Sequence, residues 1–201
     1  VVNAINHSIE VIDSNPKNAI CITTAAMRKA KNNKEVLEFF KTNTGMHFQI
    51  IDGKEEARLT LLAVRYALKR ENIKSDNFVL LDIGGGSTEI IVNSGENYEA
   101  HSFDFGIVTM TQKYLKEHDL HNDLESRKKE IKEFLDSFNI DFEKYSFVAT
   151  AGTPTTIAAV KLGQDFFSYD RNIVNGTIVN LEDLDYCLNI FKNSSKEEIA
   201  R

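Results

Sequence analysis

"VLLDIGGGSTEIIV", residues Val79 to Val92, sets a carboxylate at the end of an apolar run, follows it with three glycines and two hydroxyls, and includes a second carboxylate, Glu89. Glycines let backbone N–H groups approach an anion closely, and successive N–H groups form a phosphate nest. Gly84, Gly85, Gly86, Ser87 and Thr88 therefore read as a phosphate-binding tip, with the hydroxyls as further donors. Asp82 closes the run Val79, Leu80, Leu81, where an unpaired charge is costly. A divalent cation that itself touches phosphate is a natural partner for it. A plain hairpin turn capped by aspartate would need one glycine rather than three, so phosphate or metal–phosphate binding is the better reading. The dinucleotide fingerprint fails on context. It needs a helix after the glycines, and Thr88 to Val92 favour a strand.

The elements that must position this tip alternate along the chain. Val2, Ile5, Ile9 and Ile12 recur at helical spacing before "NPKN" breaks the chain ahead of the strand "AICIT", where Cys21 reads as a small buried apolar residue. "AAMRKAKNNKEVLEFFKTNTG" reads as one helix ending near Gly45, and "MHFQIID" as a strand. Asp52 and Glu55 have capping-box spacing, opening a helix with Ala57, Leu61, Val64 and Leu68 on one face. That α-β-α-β-α order fits a parallel sheet with crossover helices. From residue 75 the pattern becomes consecutive strands, with "NSGEN" as a second turn and "YEAHSFDF" as the third strand. Helices are expected over "IVTMTQKYLKEH", around Leu124, Ile131, Phe134, Leu135 and Phe138, over "TPTTIAAVKL" and over "LEDLDYCLNIFKN", with "YSFVATAG" as a strand. The chain closes in "SKEEIAR" with no capping residue. A boundary near residues 72–76 divides two α/β units, and a cleft between such units is a favoured ligand site.

Bulk properties narrow the class. The chain has 201 residues, 42% hydrophobic and 27% charged, as in an ordinary globular protein. No apolar run approaches the ~20 residues that span a bilayer, so no membrane role is expected. A formal charge of -6 argues against a nucleic-acid partner but leaves room for a local positive cleft. Two cysteines and no signal-peptide pattern at the start lead to the expectation of a cytoplasmic protein. The start also lacks methionine, which suggests a chain cut from something longer.

With these residues in view the chain resembles the Ppx/GppA phosphatases, within the superfamily of actin, hexokinases and heat-shock chaperone ATPases. "DIGGGSTE" is similar to that family's second phosphate loop, "TTAAMRKAKN" to the segment after a first-domain strand, and "IIDGKEEARL" to its most specific signature. "FDFGIVTMTQKYL" is similar to the glycine-led helix after the hairpin, and "ATAGTPTTIAA" to the second-domain turn at Gly152 and Thr153. The motifs fall in family order over essentially the whole chain. The resemblance implies an α/β, actin-like (ribonuclease H-like) fold of two domains around a cleft: residues 1–74 the C-terminal part of the first domain, residues 75–201 the second, C-terminally truncated. The family's first phosphate loop has no counterpart here, so the first domain is expected to be incomplete at its N-terminus. Weak phosphate binding, self-association (a homodimer) through an unpaired sheet edge, and little turnover are expected of residues 1–201 alone.

The activity implied is Mg²⁺-dependent hydrolysis of terminal phosphate from polyphosphate or guanosine pentaphosphate (pppGpp). The resemblance places Glu56 as the base that orients water and Arg28 on the phosphate chain, which a guanidinium can hold bidentately. Asp82 and Glu89 would hold Mg²⁺ directly or through water. Plainer readings stand beside these. Glu56 could serve only the helix N-terminus, a role that Glu55 already fills; Glu89 could be a solvated strand carboxylate; Arg28 could face solvent. Arg58 reads as a structural ion-pair partner. His118 and His121 lie on a polar helix end, and Arg127, Lys128, Lys129 and Lys132 read as a solvated face. Two other functions stay open: an ATP-dependent small-molecule kinase of the same superfamily, and a non-catalytic module that binds guanosine tetraphosphate or pentaphosphate, or polyphosphate.

Overall fold

The computed structural model describes residues 1–12, 18–73, 75–117 and 120–195. From the N-terminus it forms α1 (Val2–Ile12), β1 (Cys21–Thr23), α2 (Ala25–Lys29), α3 (Asn33–Thr44), β2 (Phe48–Ile50) and α4 (Gly53–Arg70). There follow β3 (Asn77–Ile83), β4 (Thr88–Ser94), β5 (Asn97–Phe103), α5 (Ile107–Glu117), α6 (Leu120–Asp136), β6 (Ser146–Thr150), α7 (Gly152–Lys161), α8 (Arg171–Val174) and α9 (Leu181–Asn193).

The larger sheet has the order β5-β4-β3-β6. β3, β4 and β5 form the expected meander, and β6 runs parallel to β3. Strand alternation gives this sheet two apolar faces. Phe78, Leu80 and Ile91 meet Ala57, Leu61 and Val64 of α4, with Leu68 packed alongside, the stripe that the 3.6-residue period predicts. Val79, Ile90 and Phe103 face the other way, onto Ile131, Phe134 and Leu135 of α6. The sheet is thus sandwiched between two helices. α4, expected in the first unit, buries its apolar stripe on this larger sheet.

The smaller sheet pairs β1 and β2 in parallel, Cys21 opposite Phe48 and Thr23 opposite Ile50. Here two expectations are corrected. "AICIT" is not a buried strand: Ile20 is 93% exposed, Ile22 is exposed and Cys21 only partly covered. β1 is three residues long and, among the described residues, pairs only with β2, so a sheet of two short strands gives it little cover. The segment Ala25 to Gly45 is not one helix. Ala30 takes an extended conformation, and Asn33 ties the break by donating its amide nitrogen to the Met27 carbonyl at 3.3 Å. α3 then ends as predicted at Gly45, whose left-handed φ of 70° suits glycine.

Residues 15–17 of "NPKN", His118, and 196–201 of "SKEEIAR" lie outside the described residues. Lys128, Lys129 and Lys132 sit on α6 in ion pairs with Glu125, Glu133 and Asp136. Arg127 departs from that solvated face and lies over the Phe105 ring, 5.2 Å from its centroid. Among the described residues no helix is long and apolar enough to cross a membrane.

Candidate phosphate-hydrolysis site

Two periodicities assemble the site. On β3, Asp82 follows Phe78 and Leu80 at a spacing of two, so it faces α4 just beyond the core. On β4, Glu89 lies directly opposite Asp82 in the antiparallel register and on the same face as Ile91. On α4, Glu56 and Thr60 occupy neighbouring turns beside the buried stripe. The Thr60 hydroxyl donates to Asp82 Oδ2 at 3.3 Å, and the Ser102 hydroxyl to Glu89 Oε1 at 2.7 Å. Burial pushes the Asp82 carboxyl above the usual range; the Thr60 hydroxyl opposes the rise and the charge of Glu56 adds to it. Glu89 is raised for the same first reason, with the Ser102 and Ser87 hydroxyls opposing and the charges of Glu56 and Asp82 adding. Glu89 is 2% exposed, so it is no solvated strand carboxylate. Like charges directly opposite each other on a sheet repel, and among the described residues neither carboxylate has a basic partner.

Arg28 and Glu56 are brought together. One nitrogen, Arg28 Nη1, donates to Glu56 Oε2 at 2.7 Å and to the Ile51 carbonyl at 2.8 Å. Both side chains are mostly covered, so Arg28 does not simply face solvent. The remaining guanidinium donors carry no hydrogen bond among the described residues. α4 starts with Asp52 as cap, its side chain accepting from the Glu55 amide at 2.9 Å. Glu55 does not complete the capping box, because its two oxygens take a bidentate pair from Arg58, both at 2.7 Å. That contact also holds the Glu55 carboxyl below its ordinary range. Arg58 is thus a structural ion-pair partner, as its sequence position suggested.

The hairpin tip is built for close approach rather than for unusual dihedrals. None of Gly84, Gly85 and Gly86 has a left-handed φ; a Cβ on Gly85 would lie 3.3 Å from Val108 Cγ2, and one on Gly86 3.2 Å from Ala25 Cβ. The tip rests on the start of α5. Ile107 N–H donates to Gly84 O at 3.0 Å, and Val108 and Thr109 N–H to Gly85 O at 2.9 and 3.2 Å. Thr88 gives its hydroxyl to Phe105 O at 2.8 Å, so this hydroxyl is already engaged. The amides of Gly85, Gly86 and Ser87 have no acceptor among the described residues.

Beyond the tip lies a cavity of about 690 Å³ that Gly84 and Gly85 share with Ala151, Gly152 and Thr153. Its walls are largely apolar, with Ile107, Ile157, Leu184, Cys187, Leu188 and Phe191 among them. Ala151 holds φ 73° and ψ -170°, a conformation costly for any residue but glycine, and such strain concentrates at functional turns. Sequence reasoning missed Thr60 and Ser102. Both were within reach: Thr60 stands four residues after Glu56, and Ser102 opposite Glu89 once the second turn sets the register. Nothing local marked Lys29, whose ammonium donates to Gly86 O at 3.0 Å and pairs with Asp104.

With that geometry in hand, comparison with known proteins is decisive about kinship. The model of the Ppx/GppA phosphatase family matches residues 1–198. The chain belongs to this family. It is 29% identical over 191 residues to a bifunctional 3-dehydroquinate synthase/phosphatase of Fusobacterium nucleatum, covering 91% of this chain and 28% of that protein. It is 34% identical over 105 residues to exopolyphosphatase 1 of Mycobacterium bovis, covering 52% of this chain and 30% of that protein. The crystal structure of the Aquifex aeolicus Ppx/GppA family member superposes with a TM-score of 0.68 at 28% identity, over 98% of this chain and 63% of that one. The chain thus spans less than a third of these curated relatives. The α/β architecture with its mixed sheet is that of the family structures.

Proposed function

We propose that this Ppx/GppA chain carries part of the machinery for phosphoanhydride hydrolysis, releasing terminal phosphate from a polyanionic substrate. The observation that carries the reading is the placement of Glu56, paired with Arg28 and one helical turn before the Thr60 that meets Asp82, at the foot of a glycine hairpin with free amides. In this reading the amides of Gly85, Gly86 and Ser87 receive the transferred phosphoryl group, where developing charge is best stabilised by fixed donors. Arg28 swings its unused donors onto the phosphate chain, and its release frees the Glu56 carboxylate to accept a proton from the attacking water.

Mg²⁺ fits the residues present. Among the described residues no group of three His, Cys, Asp or Glu side chains could cage a metal alone. Mg²⁺, however, keeps several waters and takes one or two carboxylates together with substrate phosphates. Asp82, with Glu89 behind it, would hold the ion, which would neutralise charge on the phosphates. Between the two candidate substrates, the apolar cavity beside Gly84 favours pppGpp, because a nucleoside has apolar surface to bury there and polyphosphate has none.

The test is phosphate release by the full-length protein from polyphosphate and pppGpp, assayed side by side. Glu56→Gln should lower turnover by roughly 10²–10⁴ while leaving substrate affinity nearly intact. An unchanged rate would remove Glu56 as the base, and a preference for polyphosphate would remove the cavity from the substrate site.

A further inference from the structure

The carbonyls of the glycine tip are all occupied. Gly84 O takes the Ile107 amide, Gly85 O takes the amides of Val108 and Thr109, and Gly86 O takes the Lys29 ammonium at 3.0 Å. No cis peptide bond occurs among the described residues, so in each peptide the N–H points opposite to its C=O. Anchoring three successive carbonyls therefore turns three successive N–H groups, those of Gly85, Gly86 and Ser87, away from the anchors. The first two anchors belong to α5, which follows the hairpin in the chain. The third comes from α2, the helix that also carries Arg28.

We propose that Lys29 is a positioning residue of the phosphate site: by holding the Gly86 carbonyl it fixes the Gly86–Ser87 peptide so that the Ser87 N–H joins those of Gly85 and Gly86 in one nest. This rests on the reading of the tip as a phosphate site. Asp104, largely exposed, steadies the ammonium from its other side. Ala25 supports the arrangement, since its Cβ sits 3.2 Å from where a side chain on Gly86 would begin, seating α2 against the tip. The contact needs a long donor. Its partner is a backbone carbonyl, so the role of Lys29 is to orient the peptide rather than to touch substrate.

The experiment is a titration of the ¹⁵N-labelled full chain with inorganic phosphate, following the amides of Gly85, Gly86 and Ser87 in the wild type, Lys29→Met and Lys29→Arg. Lys29 is 43% exposed, so methionine is accommodated without a core defect. All three amides should respond in the wild type and in Lys29→Arg. In Lys29→Met the Ser87 amide should fall silent while Gly85 still responds, and the phosphate Kd should rise about tenfold. A Ser87 response unchanged in Lys29→Met, with or without weaker binding, overturns the positioning role. Silence of all three amides in the wild type overturns the phosphate reading of the tip, and this inference with it.

Discussion

Gly106 offers the sharpest test of how the site is held. A Cβ there would stand 2.5 Å from Gly84 O, 2.6 Å from Gly85 C and 2.7 Å from Gly85 O. These are backbone atoms, so no side-chain rotation relieves the contact. The φ of Gly106 lies outside the left-handed region, so the whole penalty of alanine is steric. Restoring a C···O separation of about 3.3 Å requires the tip and the start of α5 to part by roughly 0.8 Å. The three hydrogen bonds from Ile107, Val108 and Thr109, now 3.0, 2.9 and 3.2 Å, would stretch beyond useful range. Each is worth about 1 kcal/mol net, and parting the elements relieves the overlap, so the loss of the three bonds should make Gly106→Ala destabilising by about 3 kcal/mol. Urea denaturation at 25 °C measures this. Gly45→Ala is the control: it has open space around it and pays only for its φ of 70°, about 1 kcal/mol. If Gly106→Ala proves no more costly than Gly45→Ala, the hairpin does not rest on α5, and the orientation argued for its amides fails.

Asp82→Asn should leave stability unchanged or slightly raised without divalent cation, because it removes one of two opposed carboxylates. Mg²⁺ should raise the Tm of the wild type and not of the variant; an equal rise in both denies Asp82 a part in holding the ion. Asn93→Ala should cost about 1–2 kcal/mol in chemical denaturation, because the buried Asn93 donates to the Asp76 carbonyl and accepts from the Arg65 guanidinium, and its loss leaves each with only its bond to Gly95. Gly152→Ala meets no atom within 4 Å and should be neutral or stabilising by up to ~1 kcal/mol; a marked loss of stability would mean that the turn is packed more tightly than it is here.

The parts of this arrangement that follow a short-range repeat were legible in advance. The stripe Ala57, Leu61, Val64 and Leu68 follows from the helical period, and the meander follows from its two turns. The residues of the hairpin were legible for the same reason, since the signal sits in one contiguous stretch. What escaped depends on how segments far apart in the chain dock. Arg28 and Glu56 were each singled out, but nothing local says that one guanidinium nitrogen bridges Glu56 and the Ile51 carbonyl. Glu55 looked like a capping residue because Asp52 stands three before it, yet a bidentate arginine on the next turn outcompetes a single backbone amide. The break at Ala30 was hidden because the residues on both sides favour a helix well enough. It matters, because it frees α2 to take a direction of its own and set Arg28 and Lys29 on different partners.

The site and the core cannot vary independently. The alternation that turns Leu80 and Ile91 toward α4 also turns Asp82 and Glu89 there, so a one-residue slip between β3 and β4 would move the carboxylates and the core together. α4 is pinned to this register at two levels. Near its middle, the Thr60 hydroxyl meets Asp82. Further along the helix, Arg65 binds the Asn93 side chain and, at 2.9 Å, the Gly95 carbonyl in the turn at the opposite end of β4. Two attachments along one rigid helix set both its height and its rotation over the sheet. The position of Glu56 relative to Asp82 therefore depends on a clamp at the far end of the strand, and loosening Arg65 should disturb the carboxylates without touching any residue of the site.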